Sequence, residues 1–472
     1  MKKTKIIATV GPVTASKEKL QELYDAGVNI VRFNFSHVDY DFFSGVLQNI
    51  KELNESGTTN LSTLLDTKGP EIRTKKIDDK VEIIAGEEFY LSTINEENNI
   101  DLEGKKLLVC DYEYILTDMK VGDIVDIDSG LLKARVEKIL PGKLLMTPLN
   151  SHLVGGKRHL NLPGVKLKLP GITESDKKDI EFGITKDFDF IAMSFVRSRA
   201  NILELKEFLA KNNAPHIKII SKIENEEALE NLDEIIDETH GIMVARGDLG
   251  IEIPIETIPV VQKMMVKKCK AAGKFVIVAT QMLETMIDNP IPTRAEVTDI
   301  YNACMQKADC TMLSGETTIG KYPIETVAYM ANILSFTEKS VNYDNHKIEA
   351  DFGVDNNKRD LVTAAVSLAT DIDAKAILVF TRRGFMARLA STMRPKKDIY
   401  AFCYDIKVLR FLNILFGVRP VMIEKKSNEE NVETAIAKLK DKNIVSSGDK
   451  LVVVFDTEKN GELIPSIQII NC

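Results

Sequence analysis

Residues 218–250 read KIISKIENEEALENLDEIIDETHGIMVARGDLG, and this stretch decides the fold. It contains two apolar runs that predict strands, KIISKI and GIMVAR, with an acidic segment between them that predicts a helix. Lys222 and Glu224 lie at the end of the first run, and Asp248 follows the second. In a parallel β/α unit the carboxyl ends of neighbouring strands meet on one face. The cluster predicts a site for a divalent metal and an anionic substrate, or else an ion-pair cluster at the surface.

The alternation of strand and helix occurs eight times in the chain. The strand-like runs are KIIATV (5–10), NIVRFNF (29–35), STLLDT (62–67), FDFIAMSFV (188–196), KIISKI (218–223), GIMVAR (241–246), KFVIVAT (274–280) and CTML (310–313). Runs that are apolar at nearly every residue are typical of parallel strands buried on both faces. Eight such units predict a (β/α)8 TIM barrel, an α/β fold whose active site lies at the carboxyl ends of the strands.

Two parts of the chain depart from the barrel pattern. Residues 69–166 contain short alternating runs divided by Gly, Asp and Pro-Gly, and they predict a small all-β barrel domain inserted into the larger barrel. Its connections, TKGPEIRT and NLPGVKL, suit the hinges of a lid, although a rigid structural insert is the alternative. Residues 346–472 predict an open α/β domain of about five strands, a candidate regulatory domain. The barrel is thus predicted in two parts, 1–68 and 167–345.

The composition is typical of a globular chain, with 44% hydrophobic and 28% charged residues. A net charge of −8 argues against a general binder of nucleic acids or of anionic membranes. The apolar runs are too short for a signal peptide or a transmembrane helix, so a cytoplasmic location is expected. The six cysteines and six histidines show no spacing that indicates a transition-metal site.

Polar residues occur where the predicted barrel strands end. In chain order they are Arg32, Asn34, Ser36, Asp66, Lys68, Lys222, Glu224, Gly247, Asp248 and Thr280. In a barrel of this kind, catalytic residues lie at the carboxyl ends of the strands. So many reactive groups at one face are unexpected by chance, which favours a functional site over a surface ion-pair cluster.

The sequence around these residues resembles that of the pyruvate kinase family. The runs VRFNFSH, LDTKGPEIRT, SKIEN, ARGDLG, VATQMLE, PTRAEVTDI and MLSGET follow the order and spacing of that family and span nearly all of the barrel. The inserted and C-terminal domains also match its layout. The resemblance implies a glycolytic phosphotransferase that moves the phosphoryl group of phosphoenolpyruvate to ADP, giving pyruvate and ATP.

For phosphoenolpyruvate, the resemblance implies a site at the strand ends. It assigns catalysis to Lys222, Thr280 and Arg32, and substrate binding to Arg32, Lys222, Gly247, Asp248 and Thr280. Arg32 would hold the substrate phosphate with its planar fork, and Lys222 would neutralise charge on the transferred group. Gly247 and Asp248 would present backbone N–H groups to the substrate carboxylate. The Thr280 hydroxyl would relay the proton that makes pyruvate.

The resemblance also implies two cations. Glu224 and Asp248 would bind Mg²⁺ (or Mn²⁺), because hard carboxylate oxygens suit these ions. The residues that match the K⁺ ligands of the family are Asn34, Ser36, Asp66 and Thr67. Glu71 stands where the K⁺-dependent members of the family have Glu, so K⁺ dependence is expected.

Contacts to the nucleotide and to an effector are implied by fewer residues. Those that match the ADP or ATP site are Arg73, His37, Asn34 and Arg158. The loop TRRGFMARLAST has Thr381, Arg382, Arg383 and Gly384 where regulatory members have a Thr/Ser-rich loop for an effector phosphate. The two arginines either bind an anionic effector or are surface charge. The family is usually tetrameric, which implies a homotetramer.

Two other functions are open at this point. A Mg²⁺-dependent barrel lyase or aldolase acting on pyruvate or phosphoenolpyruvate would share Glu224, Asp248 and Arg32, but it would need neither the K⁺ cluster nor the lid. A non-catalytic regulatory protein with the same fold would be expected to have a damaged site, whereas the residues above are all present.

Overall fold

The structure is a computed structural model that describes residues 2–96, 100–341, 356–459 and 462–472. Its strands are, in chain order, β1 (Lys5–Thr9), β2 (Ile30–Asn34), β3 (Ser62–Asp66), β4 (Val81–Ile83), β5 (Phe89–Thr93), β6 (Leu107–Cys110), β7 (Ile124–Ile127), β8 (Leu132–Leu140), β9 (Lys143–Pro148), β10 (His152–Val154), β11 (Leu160–Asn161), β12 (Phe190–Met193), β13 (Lys218–Ile223), β14 (Gly241–Ala245), β15 (Phe275–Ala279), β16 (Cys310–Leu313), β17 (Ala376–Phe380), β18 (Asp398–Cys403), β19 (Val418–Met422), β20 (Lys450–Lys459) and β21 (Glu462–Asn471).

Helices cover the strands of the barrel and of the C-terminal sheet. They are, in chain order, α1 (Lys17–Ala26), α2 (Tyr40–Glu55), α3 (Ile115–Asp118), α4 (Glu174–Thr185), α5 (Arg199–Lys211), α6 (Glu226–Glu230), α7 (Leu232–Glu238), α8 (Arg246–Glu252), α9 (Ile258–Ala271), α10 (Arg294–Met305), α11 (Gly315–Thr318), α12 (Pro323–Thr337), α13 (Asn356–Asp371), α14 (Phe385–Thr392), α15 (Ile406–Leu412) and α16 (Asn428–Asp441). None of the helices in the described part of the chain is long and apolar enough to cross a bilayer.

Eight parallel strands close into a barrel in the order β1-β16-β15-β14-β13-β12-β3-β2. These are the eight strands predicted from the apolar runs, so the (β/α)8 barrel is confirmed. Strands such as β14 and β15 are buried at every residue, because the outer helices cover one face and the barrel interior covers the other. Ile7, Ile30, Leu64 and Ile220, from four different strands, belong to one buried cluster.

Strands β4 to β11 form the inserted unit, which is all β, as predicted, apart from the one-turn helix α3. Its main sheet has the strand order β11-β7-β8-β9-β5-β6, and β4 pairs with β10 in a second, two-stranded sheet. Arg73 pairs with His159 beside one outer strand, and Thr74 pairs with Cys110 in the other. The chain around Arg73 thus joins the two outer strands, and the sheet curls into the predicted small barrel.

The C-terminal domain is an open five-stranded sheet in the order β19-β18-β17-β20-β21, as predicted. A buried ion pair joins it to the barrel: Arg394 Nη1 and Nη2 donate to Asp309 Oδ1 and Oδ2 at 2.8 and 2.7 Å. The boundary predicted between residues 345 and 346 lies outside the described residues. The boundaries at 68/69 and 166/167 stay predictions.

Candidate active site

The ends of β2, β3 and β13 bring two cations onto one carboxylate. Arg32 Nε donates to Asp66 Oδ2 at 2.6 Å, and Lys222 Nζ lies 3.1 Å from Asp66 Oδ1. The Asp66 side chain is only 1% exposed. Burial alone would raise the pKa of Asp66, but the charges of Arg32 and Lys222 outweigh it and hold that pKa below its usual value. Asp66 is therefore an ionised carboxylate that orients both cations.

Lys222 is a buried cation with three oxygens around its ammonium group. Besides Asp66 Oδ1, they are Glu224 Oε1 at 2.9 Å and Ser194 Oγ at 2.7 Å. Burial alone would lower the pKa of Lys222, but the charges of Asp66 and Glu224 raise it above its ordinary value. Lys222 therefore stays protonated and cannot act as a general base at neutral pH. It can stabilise negative charge.

Glu224 and Asp248 form the candidate site for a divalent metal. Glu224 is buried; its Oε2 accepts the Phe195 N–H at 2.7 Å, while Oε1 accepts no well-formed hydrogen bond although Lys222 is close. Burial raises the pKa of Glu224, Asp248 adds to that rise, and Lys222 opposes it. A buried oxygen without a hydrogen bond beside a second carboxylate fits a hard cation. Within the described ranges no three His, Cys, Asp or Glu side chains are grouped so that they could hold a metal ion.

Thr280 and Gly247 contact each other where β15 and β14 end. The Gly247 N–H, which the resemblance directed at the substrate carboxylate, donates to Thr280 Oγ1 at 2.9 Å. Thr280 Oγ1 in turn donates to the Ala279 carbonyl at 2.7 Å. Thr280 has a φ of 66°, in the left-handed region that few non-glycine residues adopt. A substrate carboxylate that used the Gly247 N–H would thus compete with the Thr280 hydroxyl.

The residues matched to K⁺ lie at the ends of two neighbouring strands. Asn34 is directly opposite Asp66 in the register of β2 and β3, and Thr67 follows Asp66. Asn34 Oδ1 accepts the Ser36 N–H at 3.2 Å, which keeps Ser36 beside the strand end. One carboxylate among neutral oxygens is a donor set of low charge, and it fits a large monovalent cation.

The residues matched to the nucleotide separate into two groups. Asn34 and His37 line a cavity of about 560 Å³ together with Arg32. The other two belong to the insert: Arg73 Nε donates to Glu71 Oε2 at 2.7 Å, and Arg158 Nη1 lies 3.6 Å from a carboxylate oxygen of the insert residue Asp128. The structure therefore brings the first group to the active-site face, while the side chains of the second group pair with carboxylates of the insert itself.

The predicted effector loop borders a cavity of about 250 Å³ in the C-terminal domain. Thr381 and Arg382 line it, together with Lys425 and Lys426, two cations that the sequence pattern did not single out. Thr381 Oγ1 accepts the Gly384 N–H at 3.0 Å, and Gly384 has the left-handed φ of 82° that glycine favours. Arg383, in the same loop, is exposed.

Comparison with known proteins identifies the family. The family model for the barrel domain of pyruvate kinase matches residues 1–327, and the model for its alpha/beta domain matches residues 359–463. The chain belongs to the pyruvate kinase family. A pyruvate kinase of Bacillus licheniformis is 41% identical over 458 residues, which are 96% of this chain and 77% of that protein. A pyruvate kinase of Clostridium acetobutylicum is 39% identical over 463 residues, 98% and 97% of the two chains.

A solved structure agrees with this result. The crystal structure of a pyruvate kinase from Cryptosporidium parvum has a TM-score of 0.93 and 36% sequence identity, and the match covers 100% of this chain and 96% of that one. Membership of the pyruvate kinase family makes the chain a phosphotransferase, and it does not favour the lyase or aldolase alternative. Pyruvate kinases generally use Mg²⁺ and K⁺.

Three site residues were missed by the sequence argument. Thr9 Oγ1 accepts from Arg32 Nη1 at 2.8 Å, Ser194 Oγ accepts from Lys222, and the Phe195 N–H holds Glu224. Thr9 and Ser194 lie near the ends of the first and fourth predicted strand runs. The search for polar residues at strand ends, which identified the other site residues, could therefore have found them. Phe195 contributes its backbone, which leaves no signal in the residue type.

Proposed function

We propose that the chain transfers the phosphoryl group of phosphoenolpyruvate to ADP, giving pyruvate and ATP, around Lys222. The observation that carries the proposal is the buried Lys222 ammonium between Asp66 and Glu224 at the open end of the barrel. A cation held in place before the reaction stabilises charge as it develops, without reorganising. Lys222 would neutralise charge on the phosphoryl group during its transfer and on the oxygen of the enolate that the transfer produces.

Arg32 is the proposed anchor for the substrate phosphate. Asp66 and Thr9 hold its Nε and Nη1, so the plane of the guanidinium group is fixed. A planar fork of N–H donors in a fixed orientation suits a phosphate better than a mobile point charge does. The phosphoryl group would be positioned between Arg32 and Lys222, which share Asp66 as their common partner.

Glu224 and Asp248 are the proposed ligands of Mg²⁺ or Mn²⁺, and Asn34, Ser36, Asp66 and Thr67 are those of K⁺. When bound, the divalent ion would supply positive charge to the oxygens of the substrate. Glu71, which Arg73 holds in the insert, supports K⁺ dependence only through its match to the family.

The last step of the reaction is the protonation of the enolate at carbon. Thr280 is the proposed relay, because its hydroxyl lies where β15 ends and already exchanges hydrogen bonds with Gly247 and Ala279. Gly247 and Asp248 would bind the substrate carboxylate through their N–H groups. The insert, residues 69–166, would close over the site and exclude water. Its Arg73 and Arg158, together with His37 and Asn34 of the barrel, would bind the nucleotide.

The experiment that tests the function is a coupled assay of pyruvate formation from phosphoenolpyruvate, with ADP, divalent metal and K⁺ varied independently. We expect pyruvate only when ADP is present, with one ATP made for each pyruvate. Pyruvate formed at the same rate without ADP would contradict the phosphotransfer and indicate hydrolysis of phosphoenolpyruvate, with water as the phosphoryl acceptor. The assay applies to the whole chain, for which we also propose a homotetrameric state and a cytoplasmic location.

The C-terminal loop of Thr381, Arg382, Arg383 and Gly384 is the proposed site of an anionic effector. Arg382 borders the cavity with Lys425 and Lys426, so three cations are available to one phosphate. Sugar phosphates and AMP are titrated against the wild type and an Arg382→Ala/Arg383→Ala variant. Activation that is lost in the variant supports this site, and activation that is unchanged excludes this loop.

A further inference from the structure

Ser194 lies one residue beyond the end of β12, and the proposed reaction assigns it no role. Its side chain is buried. Two hydrogen bonds to Thr67 and one from Lys222 hold it, and its hydroxyl also lies 3.4 Å from Asp66 Oδ1, a weaker fourth contact. The Ser194 N–H donates to Thr67 Oγ1 at 3.1 Å, and the hydroxyl donates to the Thr67 carbonyl at 2.6 Å. The hydroxyl oxygen then accepts from Lys222 Nζ at 2.7 Å. Because the hydroxyl proton points to Thr67, a lone pair is left for Lys222.

Ser194 differs from the other two neighbours of the Lys222 ammonium group in being neutral. An ammonium group has three N–H donors, and the other two oxygens near it belong to the carboxylates of Asp66 and Glu224. Each carboxylate offsets positive charge while it orients the lysine. The Ser194 hydroxyl fixes one N–H without offsetting that charge, so Lys222 stays both oriented and positive.

The chain around Ser194 is fixed from outside the barrel as well. A Cβ on Gly69, in the first connection to the insert, would lie 2.7 Å from the Ser194 Cβ, so only glycine allows this close approach. The Gly69 N–H donates a hydrogen bond to Asp176 Oδ1 at 3.0 Å. Phe195, the next residue, has a left-handed φ of 52° and donates its N–H to Glu224. A residue with a left-handed φ, held by its own N–H and next to the held Ser194, indicates a turn that the surrounding structure keeps in one conformation.

We infer that Ser194 is a positioning residue that directs the Lys222 ammonium group at the phosphoryl group in transfer. The inference rests on the role proposed above for Lys222. Ser194 itself acts through Lys222 and need not contact the substrate. Its loss should lower turnover more than substrate binding, since Arg32 keeps its bonds to Asp66 Oδ2 and Thr9, and Ser194 meets Asp66 only at the other oxygen, Oδ1, at 3.4 Å.

The test compares Ser194→Ala with wild type in the pyruvate-formation assay. A hydrogen bond to a charged group corresponds to about a 10- to 100-fold change, so kcat is expected to fall by about that factor. The KM for phosphoenolpyruvate should change by less than about threefold. Mn²⁺ affinity, measured by electron paramagnetic resonance, should stay within about twofold, because the Phe195 N–H still holds Glu224. Should Ser194→Ala not fold, Ser194→Cys, with a weak sulfur acceptor, is measured in the same way.

Two comparisons separate positioning from general damage. Ser221→Ala is the matched control: Ser221 is also buried, but its hydroxyl contacts Thr239 Oγ1 at 3.0 Å, and its loss should leave kcat unchanged. The second comparison adds Ser194→Ala to Lys222→Met. A residue that acts through Lys222 should have no further effect there, whereas damage to the fold would lower kcat again.

The outcomes are distinct. A kcat of Ser194→Ala within threefold of wild type overturns the inference, and so does an equal loss of kcat in both backgrounds. If Lys222→Met itself keeps wild-type turnover, the proposed site has failed, and not only the role of Ser194. If Lys222→Met loses turnover while Ser194→Ala keeps it, the Ser194 inference alone has failed.

Discussion

Replacing Lys222 by methionine removes the buried cation and keeps a side chain of nearly the same length. Two unit charges about 4 Å apart interact by about 4 kcal/mol at an effective dielectric constant of about 20. The ammonium group already lies 2.9 Å from Glu224 and 3.1 Å from Asp66, so a phosphoryl oxygen that takes a similar position would receive a contribution of that size. Since about 1.4 kcal/mol is a tenfold change in rate, kcat should fall about 10³-fold.

Phosphoenolpyruvate binding should change much less, by under about tenfold, because Arg32 keeps its contacts with Asp66 and Thr9. Turnover is measured by pyruvate formation, and binding by isothermal titration calorimetry in the presence of Mn²⁺. Melting curves check that the variant is folded.

Lys218→Met is the matched control for Lys222→Met. Lys218 is the first residue of the same strand, β13, and is half-buried at the opposite end of the barrel. Burial lowers the pKa of Lys218, and the charge of Arg388 adds to that effect. Lys218→Met therefore also removes a partly buried amino group from this strand. Turnover should stay within about twofold of wild type. The reasoning is refuted if Lys222→Met keeps kcat within tenfold, or if Lys218→Met loses as much as Lys222→Met does.

Three further outcomes are expected. Because Glu71 marks the K⁺-dependent members of the family, activity should drop steeply in K⁺-free sodium or Tris buffer, and full activity there would contradict the K⁺ site. Arg394→Met leaves Asp309 buried without its partner, so it should lower Tm by about 5 °C or more, while a shift under 1 °C would show that the pair contributes little. Burial raises the pKa of Asp189 from 3.8 to about 7, although the charge of Arg410 opposes the rise. The folded state therefore binds this proton more tightly than the unfolded state does. The stability that the proton contributes is lost as the pH rises through about 7. Asp189→Asn should therefore show a smaller fall in Tm between pH 5 and 8 than wild type, and identical slopes would contradict the assignment.

Much of the fold follows from local pattern. Eight runs apolar at nearly every residue can be buried only if both faces of each strand are covered, and a ring of parallel strands under helices does this. The alternating runs of the insert and the strand–helix alternation in the C-terminal domain, predicted over 346–472, could also be recognised in the sequence. The join at Arg73 and Thr74, which curls the inserted sheet closed, depends on pairing between residues far apart in the chain, and no local pattern encodes it.

In the candidate site, too, some residues are indicated by the sequence and some contacts are seen only in the structure. Arg32, Asp66, Lys222 and Glu224 stand out because so many charged residues at the ends of apolar runs are unexpected by chance. Ser194 does not, since serine is common at strand ends for many reasons. The contact between the Gly247 N–H and Thr280 was also invisible, because it depends on the distance between two strand ends and on a backbone angle.

The sequence by itself determined which residues could carry charge and which end of the barrel would hold them, since strand direction and residue type are local properties. Only the tertiary structure decided how these charges are shared: one carboxylate, Asp66, holds two cations, and a neutral hydroxyl holds one N–H of Lys222. The physical reason is that electrostatic and hydrogen-bond energies change over fractions of an ångström, and those distances are set by the packing of strands that lie far apart along the chain.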